Sequence, residues 1–335
     1  MGTTTFLQDM RKVKWKSINH AYGTSENIRT ALVKLWNISQ NIEAIKSEED
    51  AKKCNHKFRK SLDVVEGFLH HQGTIYESTI EAIPFLIKLI PRFPFHQQKE
   101  IIFLLHNFSK GQTYYMQHES FFNNWRSYTE EEYQELVVEE KKVIEKMYWV
   151  FDQYINDLLF FWDKLDNENN QDANYGNLLG IILLLVANLV ERNPKSAVSF
   201  ESWFKKAKQS KIWNLKNTSK EITTVRCYVL EMLKKTSPHL PSHFSLLQEK
   251  ALQIAKYPNH LEQEKIISLC ALLYLNSYTT QFDEIILPLV ENVATIERGF
   301  EDDFLYLSIY ISFDKYIALS LAKLPTIYKS NNLFE

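Results

Sequence analysis

Histidine and carboxylate side chains are where chemistry would begin in this chain, and they gather in three places. His20, His70 and His71, with Glu77, supply the ligand types of a divalent-metal site. Their spacing argues against one. The HExxH pattern puts two histidines on one helical face four residues apart, whereas the adjacent His70 and His71 diverge on a helix. Helix capping and hydrogen bonding between repeats is the favoured reading for them. Asp302 and Asp303 resemble the start of an aspartate-rich DDxx[DE] helix that holds magnesium. The fifth position is Tyr306, so the third carboxylate is lacking. First-turn residues of a helix beginning near Gly299 is the favoured reading there. His239 and His243 are four apart, but Pro241 lies between them, and loop residues are expected. Neither GxGxxG nor GxxxxGK[ST] occurs, which excludes those phosphate loops. Cys54, Cys227 and Cys270 are far apart and form no CxxC, so neither a disulfide framework nor a cysteine zinc site is indicated. With no catalytic motif, the expectation is a protein that is not an enzyme and takes no cofactor.

Charge offers a different chemistry. Residues 200–257 hold eleven Lys/Arg against four acidic residues. Lys205, Lys206, Lys208, Lys211 and Lys216 lie close to Trp203 and Trp213, and these seven are the candidate macromolecule-binding residues. A basic face carrying aromatic rings suits nucleic-acid backbone. The whole chain carries a net charge of -2, which favours a solvated face or a surface for an acidic protein. The aromatic run Tyr148 to Trp162 reads either as an exposed binding stripe, since aromatics anchor interfaces, or as core, which its helical spacing favours.

The elements that must position these residues are helices. The chain has 335 residues, only 8 glycines and 9 prolines, and 45% hydrophobic residues. A strand-and-turn protein needs glycine at its turns. The stretch to about His20 is basic and expected to fray in part. Ile28, Ala31, Leu32, Leu35, Trp36 and Ile38 predict a helix over 24–39. Ser47 caps the next, with Asp50 as an imperfect capping box; it runs to about Leu69, with its C-cap region near Gly73. Tyr76, Ile80, Ile83, Ile87 and Ile90 form one stripe of a helix from about Thr74, ended by Pro91 and Pro94. Another helix spans about 97–109 and Gly111 closes it. Residues 128–165 contain no Gly or Pro and form one long helix or two abutting ones, acidic in the first half. Asp166 to Asn174 is the best linker. A buried helix over 175–192 follows, and its apolar run, Leu178 to Val190, falls short of the ~18 residues that span a bilayer. Helices are expected near 196–209, 219–236, 242–256, 261–277, 282–297 and 301–323. Met1 to Lys16 has no apolar h-region, so a cytoplasmic protein without a secretory leader or membrane partner is expected.

Two stretches carry a family resemblance. Trp15 to Asn27 reads WKSINHAYGTSEN, and His70 to Leu89 reads HHQGTIYESTIEAIPFLIKL. Together they resemble a bacterial group of HEAT-repeat domain proteins. In that group HAYG precedes the first helix, and an HQGT-Y-AT--A-PFL--L block joins two helices of the first repeats. The resemblance covers about the first 110 residues and fades beyond Gly111. It implies a superhelical scaffold and no established catalytic activity, so it supplies no site residues. His70, His71, Gly73, Tyr76 and Pro84 are its structural motif. Gly73 lets the chain turn. His70 and His71 sit where a cation or donor suits exposed helix carbonyls. Tyr76 and Glu77 fall just inside the next helix. Pro84 bends that helix.

The reading is an all-α protein, an α-α superhelix or HEAT/armadillo-like solenoid of helical hairpins. Its parts are N-terminal repeats over 1–112, an acidic and aromatic helical segment over 113–170, and further hairpins over 171–335. The expected function is that of a scaffold binding a protein partner, of immunity or toxin-neutralising type. The alternative is a nucleic-acid-binding or repair protein acting through the 200–257 patch.

Overall fold

A computed structural model describes residues 3–20, 22–111, 113–117 and 129–167, parts of 178–193, and parts of 230–272, of which 236–256 are continuous. The chain divides into two compact units, Met1–Ala207 and Lys208–Glu335. The described residues are mostly helical; their strands are the two-residue pair Asn19–His20 and Gly23–Thr24, joined antiparallel.

The N-terminus corrects the expectation of fraying. Residues Thr3–Lys12 form helix α1, and Phe6 and Met10 on one face are buried. The Phe6 ring stacks on Trp36 at 4.2 Å and meets Phe85 edge-on at 5.3 Å. Trp15 is buried behind it and donates Nε1–H to the Met10 carbonyl at 3.0 Å. A basic composition sets the outer face of a helix, while two apolar residues four apart are enough to dock the inner one.

Helix α2 spans Glu26–Asn41 and α3 spans Glu48–Leu69. The short connection between them makes the pair an antiparallel hairpin. Ser47 caps α3: its hydroxyl accepts the Asp50 N–H at 3.1 Å and donates to the Asp50 carboxylate at 2.6 Å. Helix α4 follows at Glu77–Leu89 and α5 at Phe95–Lys110. They pair with each other, while α2 packs on α4 and α3 on α5. Arg59 of α3 reaches Glu100 of α5 at 2.7 Å.

The single stripe expected on α4 is an under-reading. Ala82, Phe85, Leu86 and Leu89 are buried as well as Ile80, Ile83 and Ile87. The helix is apolar nearly all round, and such a helix must be covered on every side. Pro84 lies inside it and removes one intrahelical hydrogen bond.

After the short helix α6, Tyr114–Gln117, one unbroken helix α7 runs from Glu130 to Asn167. Thr129 and Glu132 cap it reciprocally. The Thr129 N–H donates to the Glu132 carboxylate at 2.8 Å, and the Glu132 N–H to the Thr129 hydroxyl at 3.2 Å. α7 packs on α4 and α6. Residues 185–190 are helical and buried, as the apolar run predicts. In the second unit, helix α8 spans Pro241–Lys256, and Leu247 and Ala251 on it are fully buried. The other expected C-terminal helices fall wholly or mainly outside the described residues. Among the described residues no helix is long and apolar enough to cross a membrane.

Gly111 closes α5, but not as a left-handed cap: its φ is -56°. A Cβ there would sit 2.4 Å from Ile75 Cγ2, a buried and rotationally stiff side chain. Gly67, inside α3, has open space around it. Gly111→Ala is therefore expected to destabilise the fold by about 1–3 kcal/mol. Gly67→Ala is expected to stabilise it by about 0.5–1 kcal/mol. Urea unfolding of the two variants beside the parent chain measures both signs.

Candidate functional site

The seven residues between α3 and α4 are where the sequence motif lies. Leu69 ends α3, and the His70 N–H still donates to Glu66 O at 2.9 Å. A single 3-10 turn, His71–Gly73, reverses the chain, and Gly73 takes a φ of 82°, where a side chain is strained. Glu77 is the first residue of α4, and Tyr76 is its N-cap rather than a helical residue. Thr79 fastens the junction. Its hydroxyl accepts the Tyr76 N–H at 2.9 Å and donates to the Leu69 carbonyl at 2.8 Å, so one buried side chain holds the end of α3 and the start of α4.

The histidines here are held apart in three different surroundings. His20 is buried; its Nδ1 accepts the Tyr22 N–H at 2.9 Å and its Nε2 faces Asn27 Oδ1 at 3.1 Å. An accepting Nδ1 requires the proton on Nε2, which makes the ring neutral. Burial also pushes its pKa down. His71 meets the hydroxyl of Tyr22 at 3.0 Å. His70 stands near Phe108, with ring centroids 6.0 Å apart. Burial, and then the Lys110 ammonium, hold its pKa down to about 4. Of the expected cation or donor for helix carbonyls, the cation is corrected at His70: desolvation outweighs the helix dipole there. Among the described residues no group of three or more His, Cys, Asp or Glu side chains is placed to hold a metal ion.

His243 is also corrected. It is the third residue of α8, fully buried, and its Nδ1 is hydrogen-bonded to Thr236 Oγ1. Pro241 does not keep it in a loop, because proline suits the first helical position, where its absent N–H leaves no bond unmade. His239 remains in the turn before the helix. Lys205, Lys206, Lys208, Lys211, Lys216, Trp203 and Trp213 lie outside the described residues, as do Asp302 and Asp303.

The surface that sequence reasoning passed over is on α2 and α3. An open groove of about 900 Å³ runs along α2 and α3; Ile38, Val64 and Phe68 contribute its apolar lining, and Lys34, Lys57 and Lys60 its charge. A second recess of about 490 Å³ is lined by Phe6, Trp36, Ile87, Arg92, Leu158 and Phe160. The Arg92 guanidinium lies over the Trp36 ring, 4.1 Å from its centroid. The favoured reading of the α7 aromatics as core divides. Tyr148, Phe151 and Phe161 are buried, but Trp149 is 61% exposed and Phe160 73% exposed. Eleven residues separate Trp149 from Phe160, close to three full turns, so the two rings share one stripe.

A buried polar cluster also escaped the sequence. Asn188 donates to the Ser109 hydroxyl at 3.1 Å and lies 3.2 Å from His106 Nδ1, while Ser109 donates to the His106 carbonyl at 2.7 Å. These three residues come from α5 and from a helical stretch some eighty positions further on, a pairing that periodicity does not encode. No family model, curated protein or solved structure matches the chain.

Thr79→Val keeps the shape but strands the Leu69 carbonyl and the Tyr76 N–H, and is expected to destabilise by about 2–3 kcal/mol in urea unfolding. A second prediction concerns pH. His70 is neutral when folded and titrates near its ordinary value of about 6.5 when unfolded, so the unfolded state binds more protons in between. Its contribution is complete above about pH 6.5 and is lost as pH falls toward 4, on the order of 2–3 kcal/mol in all after discounting for partial exposure. Unfolding free energies across that range are expected to fall less steeply for His70→Gln than for the parent.

Proposed function

We propose that the chain is a non-enzymatic scaffold of HEAT-like helical hairpins that binds a protein partner. Occlusion of the partner's active site, as an immunity or toxin-neutralising protein achieves it, is the form of binding proposed. The observation that carries this reading is the α7 stripe, where Trp149 and Phe160 present two large aromatic faces to solvent and Phe160 also lines a recess. Exposed aromatic anchors beside a pocket are what binding surfaces concentrate. The HEAT-like part of the reading is supported by the pairing of α2 with α3 and of α4 with α5. The packing of α2 on α4 and α3 on α5 repeats that unit. Glu26 and Asn27 of the WKSINHAYGTSEN stretch open α2, and the HHQGTIYESTIEAIPFLIKL stretch covers the α3–α4 junction and α4.

The test is a pull-down from native lysate with the full chain, with and without nuclease, read by mass spectrometry. A stoichiometric protein that survives nuclease is expected. Trp149→Ala with Phe160→Ala is expected to lower its recovery about tenfold while circular dichroism stays unchanged. Nucleic acid in the eluate, lost on nuclease treatment or at raised salt, would overturn the reading and favour the 200–257 patch.

A further inference from the structure

We infer that the groove between α2 and α3 is the docking site for one amphipathic helix of an acidic protein. This rests on the protein-binding reading but concerns a different face from the α7 stripe.

Register comes first. Residues 27, 31, 34 and 38 recur at helical spacing on α2, and 57, 61, 64 and 68 do so on α3. Each set runs beside the buried stripe of its helix, Ile28, Leu32 and Leu35 on one and Phe58, Leu62 and Val65 on the other. Two antiparallel helices that each carry such a second stripe leave a trough between them. Ala31 and Ser61 are both small and buried, which lets the helices approach closely at its base. Ile38, Val64 and Phe68 line it and remain half-exposed, so apolar surface is left for a third helix to cover. The 16 residues of α2 give the trough a length of about 24 Å, room for some four turns of a guest helix.

Charge then selects the guest. Lys34, Lys57 and Lys60 are exposed on the trough, and none of them forms an ion pair among the described residues. The one carboxylate in the lining, Glu26, is held by Arg29 at 2.7 Å. Asp63 and Glu66 of α3 do not line it. An apolar floor with three lysines along it complements a helix whose apolar face is flanked by glutamates. A nucleic-acid backbone would meet the lysines but leave the apolar floor uncovered.

The probe is a fluorescein-labelled peptide of about 18 residues, with Leu and Phe at three- and four-residue spacing and Glu on both flanks, titrated with the full chain by anisotropy. Micromolar binding is expected. Binding about tenfold weaker is expected for a scrambled peptide that breaks the apolar face and for one with Lys in place of Glu. Lys34→Glu with Lys57→Glu and Lys60→Glu is expected to lose about tenfold with unchanged circular dichroism and Tm; Val64→Asp removes the apolar half separately. Several results would overturn the inference: an absence of binding, equal binding of the control peptides, or full binding by the triple variant. Displacement by a single-stranded oligonucleotide or by anionic vesicles would do so too, as would self-association of the chain that the triple variant abolishes. Peptide failure alongside a nuclease-resistant partner captured through α7 removes this inference and leaves the proposed function standing. A pull-down that yields no protein removes that function instead.

Discussion

Covering α4 is the constraint from which the packing of the first unit follows. Nine of its thirteen residues are buried, so no single neighbour can shield it. Phe6 of α1 meets its Phe85, while α2, α5 and α7 pack against it directly. Its polar exceptions are handled locally. Lys88 extends its ammonium to Asp9 of α1 at 3.1 Å, and hydrogen bonds from Lys12 and Lys88 hold the Asp9 carboxyl below its ordinary pKa. Glu81 lies 3.4 Å from Lys146 of α7. A central helix with almost no wet face makes the surrounding helices obligatory, and each then has a dry side toward α4.

The junction before α4 has to satisfy backbone groups that this burial removes from water. Orphan carbonyls at the end of α3 and orphan N–H groups at the start of α4 lie within a few residues of each other. Thr79 serves one of each, which is economical where there is no space for separate caps. Gly73 and Gly111 answer the same crowding in different ways. One supplies a positive φ, and the other omits a Cβ where Ile75 already stands. The neutral state of His70 is part of this logic, since a cation would need hydration that the packed junction does not provide.

Much of this was legible in the sequence, and the remainder has a common reason. Ser47, the end of α3 at Leu69 and the reversal at Gly73 were readable, because each depends on residues close together in the chain, whereas α7 was readable as helix but not as one helix rather than two. The Thr129–Glu132 capping box was equally local, and the TEEE run carries its signature. What was not legible depends on partners far away in sequence. Docking of α1 requires Trp36 and Phe85; the closeness at Gly111 requires Ile75; Asn188 finds Ser109. The histidine pair invited a reading in terms of charge, and only burial, a tertiary property, decides that His70 is neutral. Of the surfaces now of interest, Lys34, Lys57 and Lys60 could have been placed on stripes by counting, but which stripe stays open depends on where α4 and α5 pack.

The divided fate of the α7 aromatics follows from length. A helix of 38 residues extends about 57 Å, whereas α4 with its 13 residues extends about 20 Å. Coverage by α4 can therefore reach only part of α7 along its axis and one side around it. Met147, Phe151, Ile155 and Leu158 repeat at intervals of three and four and form the buried side. Trp149 and Phe160 fall off that stripe, so helical spacing of aromatics as a class could not separate core from surface. Phase relative to the buried stripe separates them. A ring left outside it is exposed apolar area that packing within the described part of the first unit does not require. That is the physical basis for proposing that a partner covers Trp149 and Phe160.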